Sequence, residues 1–203
     1  MNEKSNTKPL KKSQLTRKLI LDVAAALFSS RGYNATPLRE VAAAANMKAG
    51  SLYYHFDSKE SMMLEILNMG IEGIAESVKG EIAQLPEGAE FGQRLEAAMI
   101  GHLKAILVNG DYASTNIRNY GQVPERVRAA SMPVREQYED IWRTLLKSGQ
   151  EEGAISAEAN IGLLRLTIFG GMNWASEWYR SEGLPIEEIA AEQAKLFLKG
   201  VAA

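Results

Sequence analysis

The segment from Thr36 to Phe56, TPLREVAAAANMKAGSLYYHF, constrains the chain most, because it packs two short helical patterns around one tight turn. Thr36 is read as the N-cap of the first, with Pro37 at the first helical position, where its missing N–H costs nothing. Leu38, Val41, Ala42 and Ala45 recur at helical spacing and form one narrow apolar stripe. Asn46, tolerant of the left-handed conformation, stops this helix, and Ala44 and Ala45 are small enough to admit the next one closely.

The second helix spans Lys48 to Tyr54. Leu52 and Phe56, with Met47 nearby, face inward, and at about 100° per residue the outer side holds Gly50, Ser51 and Tyr54, flanked by Lys48, Tyr53 and His55. Such a face suits close approach to a phosphate backbone: glycine removes bulk, hydroxyls donate to phosphate oxygens, and Lys48 and Lys59 add charge. Tyr53 either packs its ring on a neighbouring helix or reaches DNA; Tyr54 is assigned to the DNA side. His55 has three roles open to it, capping a helix end, donating to phosphate, or neither.

Phe28-Ser-Ser-Arg-Gly-Tyr-Asn-Ala-Thr36, Arg39-Glu-Val-Ala42, Gly50-Ser-Leu-Tyr-Tyr-His-Phe56 and Ser58-Lys-Glu60 resemble the TetR family of transcriptional regulators. Asn46 stands where the family's turn usually has Gly, and Lys48 where its reading helix usually opens on Ser. The resemblance implies an all-α protein in which a three-helix, helix-turn-helix DNA-binding domain precedes a helical domain for ligand binding and dimerisation. The expected DNA-binding set is Thr36, Arg39, Lys48, Ala49, Gly50, Ser51, Tyr53, Tyr54, His55 and Lys59.

The net charge of −2 argues against nucleic acid, but the distribution of charge points the other way. Residues 1–60 carry ten basic against five acidic side chains, net +5, and the remainder thirteen against twenty, net −7. Positive charge is concentrated where the motif sits. The absence of cysteine excludes disulfides, thiolate metal sites and a cysteine nucleophile; His55 and His102 are too far apart for a spaced metal motif, so neither metal nor cofactor is expected. The uncharged run Leu166 to Ser176 is well short of the roughly 20 residues a bilayer span needs, and a cytoplasmic protein without a membrane partner is expected.

Three regions are expected: a flexible basic arm over 1–12, the DNA-binding domain over 13–60, and an effector-binding and dimerisation domain over 61–203. The arm either reaches a minor groove or is simply a loose terminus. Helices are expected over about 13–30, 58–82, 91–108, 112–120, 125–149, 157–181 and 185–199, with Pro133 kinking or dividing the fifth of these. The stretch from Ala157 to Ser181 is apolar nearly all round and must bury every side, one against its own core and another against a second chain. Gly170 and Gly171 are read as permitting close helix approach. The expected interface of a homodimer is Leu164, Ile168, Gly171, Trp174, Trp178, Ile189 and Phe197.

The second domain carries no catalytic constellation and no phosphate cradle. Its large apolar side chains with a few polar neighbours suit a small-molecule pocket, for which Met99, Leu107, Asn116, Arg118, Tyr120, Trp142, Leu146, Phe169 and Asn173 are the candidates. Tyr138 to Arg143 and Gly171 to Arg180 resemble TetR-type regulators of fatty-acid, sterol or aromatic-acid catabolism, several of which respond to acyl-CoA thioesters. An acyl-CoA or other apolar acid would want basic residues at the pocket mouth, which Arg118, Arg126, Arg128 and Arg135 can supply. The expected molecule is a repressor that binds an inverted repeat of double-stranded DNA as a homodimer and is released by such an effector. Its rivals are a regulator without effector, an activator, and an all-α enzyme or scaffold, the enzyme lacking any nucleophile and base.

Overall fold

In the computed structural model, which describes residues 12–108 and 110–201, every regular element is a helix. Residues 1–11 of the expected arm lie outside the described residues, and Lys12 belongs to the first helix. That helix, α1 (Lys12–Arg31), buries Ile20, Leu21, Ala24, Ala25 and Phe28, a stripe at helical spacing. It stops at Gly32, whose φ of +88° turns the chain.

Next come α2 (Leu38–Ala44) and α3 (Ala49–Tyr53). Asn46 joins them at φ 53°, the one non-glycine residue with positive φ among those described. Its N–H donates to the Ala43 carbonyl at 3.0 Å and the Met47 N–H to the Ala42 carbonyl at 2.9 Å, the paired bonds by which a left-handed residue closes a helix end. Thr36 departs from expectation. The structure puts Pro37, in extended conformation, at the N-cap of α2, and the Thr36 hydroxyl donates back to the Gly32 carbonyl at 2.9 Å. A buried hydroxyl needs a partner, and the turn after α1 supplies it.

The long helix α4 (Lys59–Ala83) opens with a reciprocal cap: the Ser61 N–H donates to Ser58 Oγ at 3.0 Å and the Ser58 N–H to Ser61 Oγ at 3.2 Å. It is followed by α5 (Phe91–Leu107), α6 (Asp111–Asn119), α7 (Glu125–Glu151), α8 (Ile161–Trp178) and α9 (Ile186–Val201). Pro133 neither divides nor ends α7. Ala129 and Pro133 are both exposed, so the carbonyl that proline leaves without a partner is on the wet side of the helix. The eighth helix begins later than expected because Asn160 caps it, its side chain accepting from the Leu163 N–H at 3.1 Å.

Two cores share α4. Met62, Met63, Ile66 and Leu67 pack with α1, α2 and α3 in the first; Ile71, Ile74 and Val78 pack with α5, α7, α8 and α9 in the second. The first core thus extends past residue 60, and it also takes in Val123, just before α7, and Val127 in its first turn. Helices close on α4 because glycine lets them: a Cβ at Gly101 would lie 2.6 Å from the Val78 Cα, and one at Gly70 2.6 Å from the Tyr112 carbonyl oxygen.

Candidate functional site

The outer face of the head, the unit of α1 to α3 and the start of α4 around the first core, is built by one inward pair. Leu52 and Phe56 are buried, which turns Lys48, Ala49, Gly50, Ser51, Tyr53 and Tyr54 to solvent. Tyr54 is 84 % exposed and, among the described aromatic rings, meets the edge of His55 alone, with centroids 5.3 Å apart. Arg39, on α2, is exposed beside them, and neither it nor Lys48 forms an ion pair with a described residue. Two members of the expected set stand elsewhere. Thr36 is fully buried, and the Lys59 ammonium is turned inward, donating to the Tyr33 carbonyl and lying 4.1 Å from the Tyr33 ring centroid. Burial lowers the Lys59 pKa, but the carbonyl and ring faces it meets are the electronegative surfaces a cation seeks.

The second candidate site is a cavity of about 170 Å³ between α4, α5, α6, α7 and α8. Of the expected ligand set, Asn116, Tyr120, Phe169 and Asn173 line it, together with Ile71, Ile74, His102, Ile117, Arg135 and Tyr138. Five candidates lie outside it. Trp142 and Leu146 are sealed in the core at 0 % exposure; Met99 lines a separate cleft between α5, α8 and α9; Leu107 and Arg118 line another beside Asp111 and Tyr179. Of the four arginines expected at the pocket mouth, only Arg135 lines the cavity. Arg126 clasps Glu60 with two bonds of 2.5 Å, and Arg128 is held by Glu125 and by the Val123 carbonyl at 2.8 Å.

His102, absent from the expected set, organises one wall. Its Nδ1 lies 2.5 Å from Tyr138 Oη, which accepts from the Trp142 indole N–H at 2.8 Å, and its Nε2 lies 3.0 Å from Asn173 Oδ1. Burial lowers its pKa to about 4, which keeps the ring neutral at pH 7. On the opposite wall Arg135 donates to Asn116 Oδ1 at 2.7 Å, and Asn116 donates to the Leu67 carbonyl of α4 at 2.7 Å. Asn116, Trp142 and Asn173 are among the candidates the sequence offers, and Tyr138 falls in one of the two segments that resemble regulators of catabolism, but no local motif marks His102.

From the cavity, α6 reaches the head. Thr115 donates to the Ala25 carbonyl at 2.9 Å, Asn119 donates to the Phe28 carbonyl at 3.0 Å and accepts from the Tyr33 N–H at 2.6 Å, and Tyr112 donates to Asp22 at 2.8 Å. Each of these acceptors or donors lies on α1 or in the turn that follows it.

Away from the cavity, α8 exposes Leu163, Leu166, Trp174 and Trp178, with Gly170 and Gly171 open between them. Among the described residues no other element comes within 4 Å of a Cβ at either glycine, so the close helix approach they were expected to serve is not made among those residues. Two residues expected at the interface belong instead to the chain's own core: Ile168 and Ile189 are buried there, while Leu164 and Phe197 are half-buried at its edge. The packing of α8 on α5 and α7 decides this, since Ile168, Met172 and Ala175 form the stripe that faces inward.

Among the described residues no helix is long and apolar enough to cross a membrane. Residues 20–66 match the profile of the bacterial regulatory proteins of the tetR family, and residues 88–201 that of the tetracyclin repressor-like C-terminal domain. The transcriptional repressor KstR2 of Rhodococcus jostii is 28 % identical over 190 residues, covering 90 % of this chain and 89 % of that protein. The TetR family regulator PfmR of Thermus thermophilus superposes with a TM-score of 0.75 at 27 % identity, over 91 % of this chain and 99 % of the other. AibR, solved with isovaleryl coenzyme A and operator DNA, has the same fold, with a TM-score of 0.76 at 23 % identity over 89 % and 97 % of the two chains. With its reading head, its helical second domain and these matches over both, the chain belongs to the TetR family of DNA-binding transcriptional regulators and is not an enzyme.

Proposed function

We propose that the protein is a repressor that binds an inverted-repeat operator as a homodimer and lets go when a small apolar or acyl effector fills the cavity of α4 to α8. The observation that carries this reading is the continuity of α6: Asn116 lines the cavity while Thr115 and Asn119 on the same helix hold α1 of the head. A ligand that displaces α6 or the adjoining stretch of α4 favours a state in which the heads no longer match successive major grooves, about 34–36 Å apart. The operator is read by Arg39, Lys48, Ala49, Gly50, Ser51, Tyr53, Tyr54 and His55. The second copy sits on the exposed face of α8 through Leu164, Gly171, Trp174 and Trp178, with Phe197 at its margin. KstR2 is a repressor and AibR was solved with an acyl thioester and DNA, which supports both halves of the reading.

The test is fluorescence anisotropy on the DNA flanking this protein's own coding region, with and without candidate effectors. Saturable binding that an effector reverses is expected. Operator binding that stays unchanged across a broad panel of acids, thioesters and neutral apolar molecules would overturn the release mechanism.

A further inference from the structure

The cavity walls narrow the chemistry of the effector, on the reading just given that an effector fills this cavity. Arg135 enters from α7 with its guanidinium 4.0 Å from the Tyr120 ring centroid and one Nη donating to Asn116. Its Nε is buried and has no hydrogen-bond partner. Among the described residues no carboxylate pairs with it: Glu139, one turn further along α7, is held by Arg165 at 2.9 Å. Arg135 is therefore a cation at a cavity wall whose partners there are neutral, an arrangement that costs free energy until an anion completes it. A planar fork of N–H donors matches a carboxylate better than a point charge does.

The other wall leads to the same end. Asn173 Oδ1 can only accept, so the neutral His102 ring carries its proton on Nε2 and donates to it. Nδ1 then accepts from Tyr138 Oη, which itself accepts from the Trp142 indole N–H. This leaves the Asn173 amide N–H groups for the cavity that Asn173 lines. Of the nearby acceptors, Asn116 Oδ1, Tyr138 Oη and His102 Nδ1 are engaged, and the Tyr120 hydroxyl donates to Met132 Sδ at 3.4 Å. What the walls offer is chiefly donors, from Arg135 and Asn173, among apolar surfaces from Ile71, Ile74 and Phe169. The volume, about 170 Å³, is close to the roughly 150 Å³ of a protein cavity that holds benzene.

We propose that the cavity takes a compact free carboxylic acid, the size of a single ring or a short branched chain, with its carboxylate on Arg135. A thioester carbonyl brings no charge to Arg135, so a free acid matches this wall better than its thioester does.

Titration calorimetry of the full-length protein with benzoate, cyclohexanecarboxylate, benzamide, octanoate and benzoyl coenzyme A tests this. Benzoate and cyclohexanecarboxylate should bind, with benzamide weaker than benzoate by roughly 10- to 100-fold, the worth of a charge-assisted bond. Octanoate, an extended chain rather than a compact one, should be weaker than either cyclic acid. Arg135→Gln should bring benzoate down to the benzamide level and leave benzamide unchanged, while Arg135→Lys keeps part of the preference. Should Arg135→Gln fail to fold, the benzoate and benzamide comparison on the unaltered protein still decides. Benzamide binding as tightly as benzoate, or benzoyl coenzyme A binding where the acids do not, overturns the proposal. Operator affinity measured alongside separates the two readings: acids that bind without releasing DNA would sink release and leave this site standing, and release by neutral molecules with no acid binding would do the reverse.

Discussion

Tyr54 holds a whole phenol ring in water, 84 % exposed, on a helix whose fold does not need it. Lys48 and Ser51 flank it with groups that reach phosphate oxygens. Lys48→Ala should fold normally, weaken operator and random DNA alike, and reduce the slope of log affinity against log salt by about 1. Tyr54→Ala should cost operator affinity on the order of 1 kcal/mol with the slope retained, in the same salt series. His102 sets a different dependence. Its pKa is lowered to about 4 from an unfolded value near 6.5, so between those values the unfolded chain takes up a proton that the folded one refuses. The stability this neutral ring contributes is present above pH 6.5 and is lost as pH falls towards 4, a change of about 3 kcal/mol. Urea melts from pH 7 to 4.5 should show that loss, and His102→Gln should flatten the curve in this window. Glu60 and Glu187, whose pKa values are lowered chiefly by the Arg126 bonds and by a backbone hydrogen bond respectively, act only at more acid pH.

At the level of elements, α6 is a short bracket whose polar side chains are taken up by its neighbours' backbones. Asn119 is the clearest case, fully buried and satisfied by two carbonyls and one N–H. Asn119→Ala strands the Tyr33 N–H and should lower stability by about 1–3 kcal/mol. It should also weaken operator binding without touching DNA, seen as a lower melting temperature together with reduced anisotropy amplitude at low protein concentration. The reading helix and its turn are legible in the sequence because their signals are local: Asn46 is a left-handed stop, and Leu52 and Phe56 are four apart. The start of α8 is not, because Asn160, an ordinary capping residue, overrides the apolar run around it. The cavity is half legible. Asn116 and Tyr120 are four apart, the latter at the C-cap of α6, but nothing in the chain distinguishes Arg135 from Arg126 or Arg128 until helices from distant parts of the sequence bring Tyr120 and Asn116 against it.

For the molecule as a whole, the face of α8 gathers four of the large apolar side chains left exposed among the described residues, Leu163, Leu166, Trp174 and Trp178. Leu166 is 58 % and Trp174 66 % exposed, and this is the apolar surface that the proposed dimer would cover. Trp174→Glu should convert the proposed dimer to monomers in sedimentation at micromolar concentration, with helix content retained, and should depress operator affinity by removing the second head.

The sharing of α4 between two cores also limits how the molecule can be taken apart. A head cut at residue 60 would leave behind Met62, Met63, Ile66 and Leu67, and would lose the cover that Val123 and Val127 provide. Its own apolar faces would then lie bare. The portable unit for grafting this head onto another sensor ends within α4, before Ile71, and the new sensor must bring an entry to α7 that restores those two valines.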